Sequence, residues 1–201
     1  MPRSDAFLLE FSKVVEPQLR GLGFKGSRRN FRRVQGEVVH ILNVQGSSSG
    51  ERCYVNLGVH LSFLPSAGTG TSDLKKLKEY DCAFRSRLDP QPHFSLGWPY
   101  GATPEQTERI VHLLSNAIEL QAVPYFYTYF SFPESFQNIT LAELDSGTTP
   151  CHAAHLFIGA QILKHAERFV ESEVLSRTAL QRTPERAVSL RREIIAFRVQ
   201  S

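Results

Sequence analysis

Apolar residues recur at helical spacing near the start of the chain, where Phe7, Leu8, Phe11, Val14, Val15, Leu19 and Leu22 fall on one stripe. Ser4 is placed to cap that helix, and Gly21 and Gly23 to end it. Pro17 predicts a kink or a restart, because proline lacks the N–H that an inner turn donates. From Phe24 onward the period changes to two. "NFRRV" and "VVHILNVQ" flank "QGE", a short hairpin connection with Gly36 at its tight point. "CYVNLGVHLSF" follows the loop "GSSSGER", and "DCAFRSRL" reads as a further strand. Between them lie "LPSAGTGTS", a loop, and "DLKKLKEY", a helical turn. "DPQPHFSLGWPYGA" mixes prolines and glycines with aromatics and is a structured loop.

The strands can be set in register. In "CYVNLGVHL" the odd positions Cys53, Val55, Leu57, Val59 and Leu61 are apolar, while Tyr54, Asn56, Gly58 and His60 alternate with them. In "VVHILNVQ" the matching apolar set is Val38, Leu42 and Val44, with His40 as the exception. A slip of one residue would exchange the faces, so Val44 is set opposite Val55, Leu42 opposite Leu57 and Val38 opposite Leu61. The same register sets Asn43 opposite Asn56, Gln45 opposite Tyr54 and Val39 opposite His60. In "CAFRSRL", Cys82, Phe84 and Leu88 suit the buried face, and Arg85 and Arg87 point the other way.

The second half reads as helical. "TPEQ" at Thr103 is a capping box with proline at the first helical position. The helix it opens runs through "TERIVHLLSNAIEL" to Pro124. "TPCHAAHLFIGAQILKHAERFVESEVL" and "TPERAVSLRREIIAF" each begin with a further Thr-Pro cap. One helix, an antiparallel sheet of about four strands, then helices: this order predicts an α+β fold. The chain of 201 residues suits a single domain over 1–201, with helix and sheet in 1–100 and a helical part in 101–201 packing on it.

Composition changes this picture little. A net charge of +3 is too small to imply a polyanion partner by its total. Cys53, Cys82 and Cys151 are odd in number, far apart and without a CxxC pair, which argues against a disulfide framework or a zinc ribbon. Asp5, Glu10 and Lys13 interrupt the N-terminal apolar stretch, so it is not read as a signal peptide, and no apolar run approaches a membrane span. The expectation is a cytoplasmic protein, and the "NIT" sequon at Asn138 is discounted accordingly.

Candidate chemistry gathers on the polar side of the sheet. If "CAFRSRL" joins it, that face collects Asn43, Gln45, Asn56, His60, Arg85 and Arg87. Two guanidiniums among amides and an imidazole suit a carboxylate or a phosphate. Plain solvent exposure accounts for the same pattern, as does cover by the C-terminal helices. Lys25, Arg28, Arg29, Arg32 and Arg33 form a basic cluster with Phe31 as its lone aromatic. With "NFRRV" as the edge strand, these charges guard against edge-to-edge pairing rather than grip nucleic acid. His152 and His155 beside Cys151 lack the partner motif of a zinc site, so no metal or cofactor is expected. Ser47, Ser48 and Ser49 lack the lysine of a phosphate loop and form a hairpin tip. No catalytic residue is named, because GxSxG, a facing acid pair and a Cys–His pair are all missing.

"GLGFKGSRRNFRR", then "VVHILNVQGSSSGERCYVNLGV", then "CAFRSRL" with Trp98 beyond it resembles the bacterial family known as domain of unknown function 4304. Gly23-Phe24-Lys25, Asn43-x-Gln45 and Asn56-Leu57-Gly58 carry the resemblance, over roughly residues 5 to 130. Arginine at 28 to 33, where the family more often has lysine, departs from it. The resemblance implies a small bacterial α+β protein and no activity. Three roles remain open. The first is a binding protein that meets an acidic protein partner through the polar face or the Arg-rich edge, in the manner of toxin-neutralising immunity proteins. The second is an anionic small-molecule or enzymatic site at Arg85 and Arg87. The third is nucleic-acid binding through Arg28, Arg29, Arg32 and Arg33.

Overall fold

The computed structural model describes residues 2–64, 74–139 and 153–199. Helix α1 (Arg3–Gly21) leads into strands β1 (Lys25–Ser27), β2 (Asn30–Gln35), β3 (Val38–Gly46) and β4 (Arg52–Leu61), then β5 (Phe84–Arg87) and the two-residue β6 (Trp98–Pro99). Helix α2 (Pro104–Ala117) continues through a π-helical turn (Ile118–Ala122) into α3 (Val123–Thr128). Helices α4 (Ala153–His165), α5 (Phe169–Arg182) and α6 (Val188–Val199) follow. The chain divides into two compact units, Met1–Phe130 and Ser131–Ser201.

The fold is α+β. Its sheet is antiparallel in the order β1-β2-β3-β4-β5, with β6 pairing β4 beside β5. Val44↔Val55, Leu42↔Leu57, Val38↔Leu61, Asn43↔Asn56, Gln45↔Tyr54 and Val39↔His60 all pair as their parity requires. On β5, Arg87 pairs with Asn56 and Arg85 with Gly58. The apolar face packs against α1, whose Phe7, Phe11, Val15 and Leu19 are buried at i, i+4 spacing. Phe11 meets Phe31 at 5.8 Å and Phe7 meets Tyr100 at 5.3 Å between ring centroids. Gln18 and Ser115 tie α1 to α2 by two hydrogen bonds of 3.1 and 2.9 Å. Phe126 of α3 lies 5.3 Å from Phe24 and 5.0 Å from His40.

Several local expectations change. Helix α1 starts from Pro2 without a side-chain cap, and Ser4 lies inside it. It runs unbroken through Pro17, which is exposed, so the carbonyl that loses its donor can turn to water. "NFRRV" is the second strand; the edge is the three-residue β1. Cys82 is buried on the opposite side of the sheet from Phe84. The chain crosses the sheet at Gly58, where an added Cβ would sit 2.6 Å from Cys82 Sγ and 3.2 Å from Glu79 Cα. There Val39, Ile41, Leu77 and Cys82 form a second small apolar cluster.

Thr103 caps α2, accepting from Gln106 N–H at 3.3 Å, with Pro104 next; Gln106 Oε1 reaches back to Ala102 N–H at 2.9 Å. That helix does not stop at Pro124, because the wider π turn before it absorbs the missing donor. The stretch read as one helix after residue 152 is two, α4 and α5, broken at Glu167 with φ 60°. Thr183 closes α5, donating from Oγ1 to Ala179 O at 2.7 Å, rather than opening α6. The loop at 65–73 and the Thr-Pro cap at 149–150 lie outside the described residues.

Candidate binding face

Strand alternation places one polar side chain from each of four strands in a row, Asn30↔Asn43↔Asn56↔Arg87. Asn43 Nδ2 donates to Asn30 Oδ1 at 2.9 Å and to Arg29 O at 3.3 Å. Asn56 Nδ2 donates to Gln45 Oε1 at 3.0 Å, and Arg87 Nε donates to Asn56 Oδ1 at 2.8 Å. The Arg87 guanidinium stands 4.6 Å from the Tyr54 ring centroid, a cation–π contact. A buried amide and an aromatic face therefore hold this cation in place while its Nη nitrogens make no hydrogen bond among the described residues. Arg85, two positions away on the same face, is exposed and has neither a hydrogen bond nor an ion pair among the described residues. Beside the row lies a cleft of about 600 Å³ whose lining includes Arg29, Asn30, Asn43, Gln45, Lys78 and Tyr80, with Glu79 as its acidic member.

Gln45, Asn56 and Arg87 thus come together in one hydrogen-bonded group, beside the separate Asn30–Asn43 pair, with Arg85 alongside. His60 does not join them. It is buried, its Nε2 lies 3.2 Å from Leu64 O, and its strand partner Val39 packs with Leu77 and Cys82. Burial lowers its pKa, so the neutral ring is favoured. Asn30 and Tyr54 were not singled out from the sequence. Extending the β2–β3 parity to the residue opposite Asn43 finds the first, and the even-numbered set of β4 contains the second.

The basic cluster disperses. Arg29 Nη1 donates to Val44 O at 3.3 Å, and Arg32 Nη2 to Leu77 O at 2.6 Å on the polar face. Arg33 points to the other face and donates to His40 Nδ1 at 3.2 Å and Leu22 O at 3.0 Å. Its guanidinium stacks over Phe24, Phe130 and Phe126 at 5.0, 5.6 and 5.9 Å. Because His40 Nδ1 accepts, its proton sits on Nε2 and donates to Tyr129 O at 2.9 Å. Burial pushes the His40 pKa down to about 4; the Tyr129 carbonyl opposes this and the Arg33 charge adds to it. Arg28, at the tip of the β1–β2 hairpin, has φ 57° and gives its backbone N–H to Glu16 Oε1 at 2.8 Å. Glu16 is buried and also accepts from Arg20 at 3.1 Å.

Burial pushes the Cys53 and Cys82 thiols up to about 12, so neither is a nucleophile near neutral pH. Among the described residues no three His, Cys, Asp or Glu side chains gather as a metal would require. His155 is half-buried on α4, while Cys151 and His152 lie outside the described residues. No described helix is long and apolar enough to cross a membrane.

The family model described as Domain of unknown function (DUF4304) matches residues 15–128. The chain belongs to this family. No curated protein and no solved structure matches it. The DUF4304 match runs from within α1 to the end of α3, so the family domain falls inside the first compact unit, and α4 to α6 lie beyond it.

Proposed function

We propose that this DUF4304 chain is a protein-binding module that takes an extended acidic segment of its partner along strand β5, with the carboxylates against Arg85 and Arg87. The observation that carries the reading is the state of that edge. Leu88 N–H bonds to Val55 O, so in an antiparallel ladder Ser86 and Phe84 also face β4, and Arg85 and Arg87 turn their backbone groups outward. Among the described residues those outward groups have no hydrogen-bond partner. An added strand would take its main-chain bonds there, while guanidiniums on the polar face supply charge selection. Arg87 is already oriented by Asn56 and Tyr54, which reduces the entropy lost on binding.

Nucleic acid is the less favoured partner, because Arg29, Arg32 and Arg33 donate to groups within the chain. As a bacterial cytoplasmic protein, the chain is comparable in size and type to toxin-neutralising immunity partners, and a toxin gene next to its own would support that setting. The test is an affinity capture from native lysate with and without nuclease, comparing wild type with Arg85→Ala/Arg87→Ala. A nuclease-resistant protein retained by wild type and lost by the folded double variant is the expected result. Equal capture by both, loss of the partner with nuclease, or failure of the variant to fold would each overturn the reading.

A further inference from the structure

A second site lies in the same unit, away from the amide row. The start of α1, the start of β4 and the middle of α2 converge on a cleft of about 520 Å³, to which they bring Arg3, Arg52 and Arg109. Arg52 is fixed by donating from Nη1 to Leu96 O at 2.9 Å. Arg3 and Arg109 are exposed and make no hydrogen bond or ion pair among the described residues. Glu51 is the acidic group of the lining, and it sits 3.8 Å from Arg52 Nη2, a loose pairing. Three guanidiniums against one carboxylate leave the cleft cationic. Phe94, Ile110 and Leu113 line it too, so charge and apolar surface share one concavity.

We propose that this cleft binds a small organic anion, a phosphate monoester or carboxylate attached to an apolar body. The guanidiniums take the anionic group, since arginine offers paired donors that match two oxygens. The apolar residues cover the body, which follows the usual division of a small-molecule site into an apolar lining and a few placed polar groups. The volume falls in the range such sites occupy. A basic surface patch for macromolecules would not need this apolar wall.

The experiment is calorimetric titration of the full chain at low ionic strength with phenyl phosphate, benzoate and inorganic phosphate. The proposal expects saturable one-to-one binding of phenyl phosphate or benzoate, tighter than inorganic phosphate. Whichever of the two organic anions binds more tightly tells phosphate from carboxylate as the preferred group. Arg109→Gln, an exposed change that leaves the fold intact, weakens binding about tenfold or more, as does Arg3→Gln. Arg85→Ala/Arg87→Ala leaves it unchanged, which separates this cleft from the sheet edge. Absence of saturable binding by both organic anions overturns the proposal. So does binding indifferent to Arg109→Gln and Arg3→Gln, binding no tighter than inorganic phosphate, or binding lost in the β5 double variant.

Discussion

Arg33 and His40 hold each other in one protonation state. The guanidinium donates to Nδ1, and a second proton on that ring would break this bond and set two cations side by side. Between the ordinary 6.5 and about 4, the unfolded chain binds a proton that the folded ring refuses. Stability is therefore full above that window, falls as pH falls through it, and levels off below. The loss is on the order of 3 kcal/mol. Urea titrations across this range check it, and His40→Gln should flatten the slope; an unchanged slope would show that His40 is not its source. Arg28 offers a second test. Its left-handed backbone costs about 1 kcal/mol that glycine avoids. Arg28→Gly, which keeps the N–H to Glu16, should raise stability by roughly that amount, read as a shift in urea midpoint.

At the scale of elements, what the sequence disclosed depends on whether pairing continued. The β3–β4 register was legible because β4 alternates over its length and β3 does so from Leu42 to Gln45, so one choice satisfied both. The position of Cys82 was not, because pairing starts only at Phe84 and the preceding residues cross the sheet. Pro124 looked like a helix end because sequence spacing does not announce a π turn. Arg33 looked like part of a charged edge, since counting charges cannot reveal three aromatic rings around one of them. The row Asn43, Gln45, Asn56 and Arg87 followed from parity alone, whereas the burial of His60 depends on a segment distant in sequence. Gly58 makes that crossing possible. Gly58→Ala should cost about 1–3 kcal/mol by crowding Cys82 and Glu79. Because the closest atom is Cys82 Sγ, Cys82→Ala should offset part of that cost, and strictly additive losses in thermal denaturation would rule out the contact as the cause.

Across the whole molecule, the family match and the first compact unit cover nearly the same residues, and that unit carries its own core from Phe7 to Phe126. Residues 1–130 alone should unfold cooperatively; a broad, non-cooperative melt would contradict that autonomy. The two units should also respond to different acidities. His40 governs the window from 6.5 to about 4 in the first. In the second, hydrogen bonds from Arg198 and Arg177 hold Glu173 down to about 2, so its contribution is full above 4.5 and is lost as pH falls from there to about 2. Acid titration followed by residue-resolved spectra should show the first unit responding before the second.

Whether the open β5 edge receives a partner can be read by amide hydrogen exchange. In the free chain, Arg85 and Arg87 should exchange rapidly while Ser86, bonded to β4, is protected. On addition of the purified captured partner, Arg85 and Arg87 should become protected as well. Protection of both in the free chain would mean that the edge is already closed, and no change at either with partner bound would mean that the partner docks elsewhere.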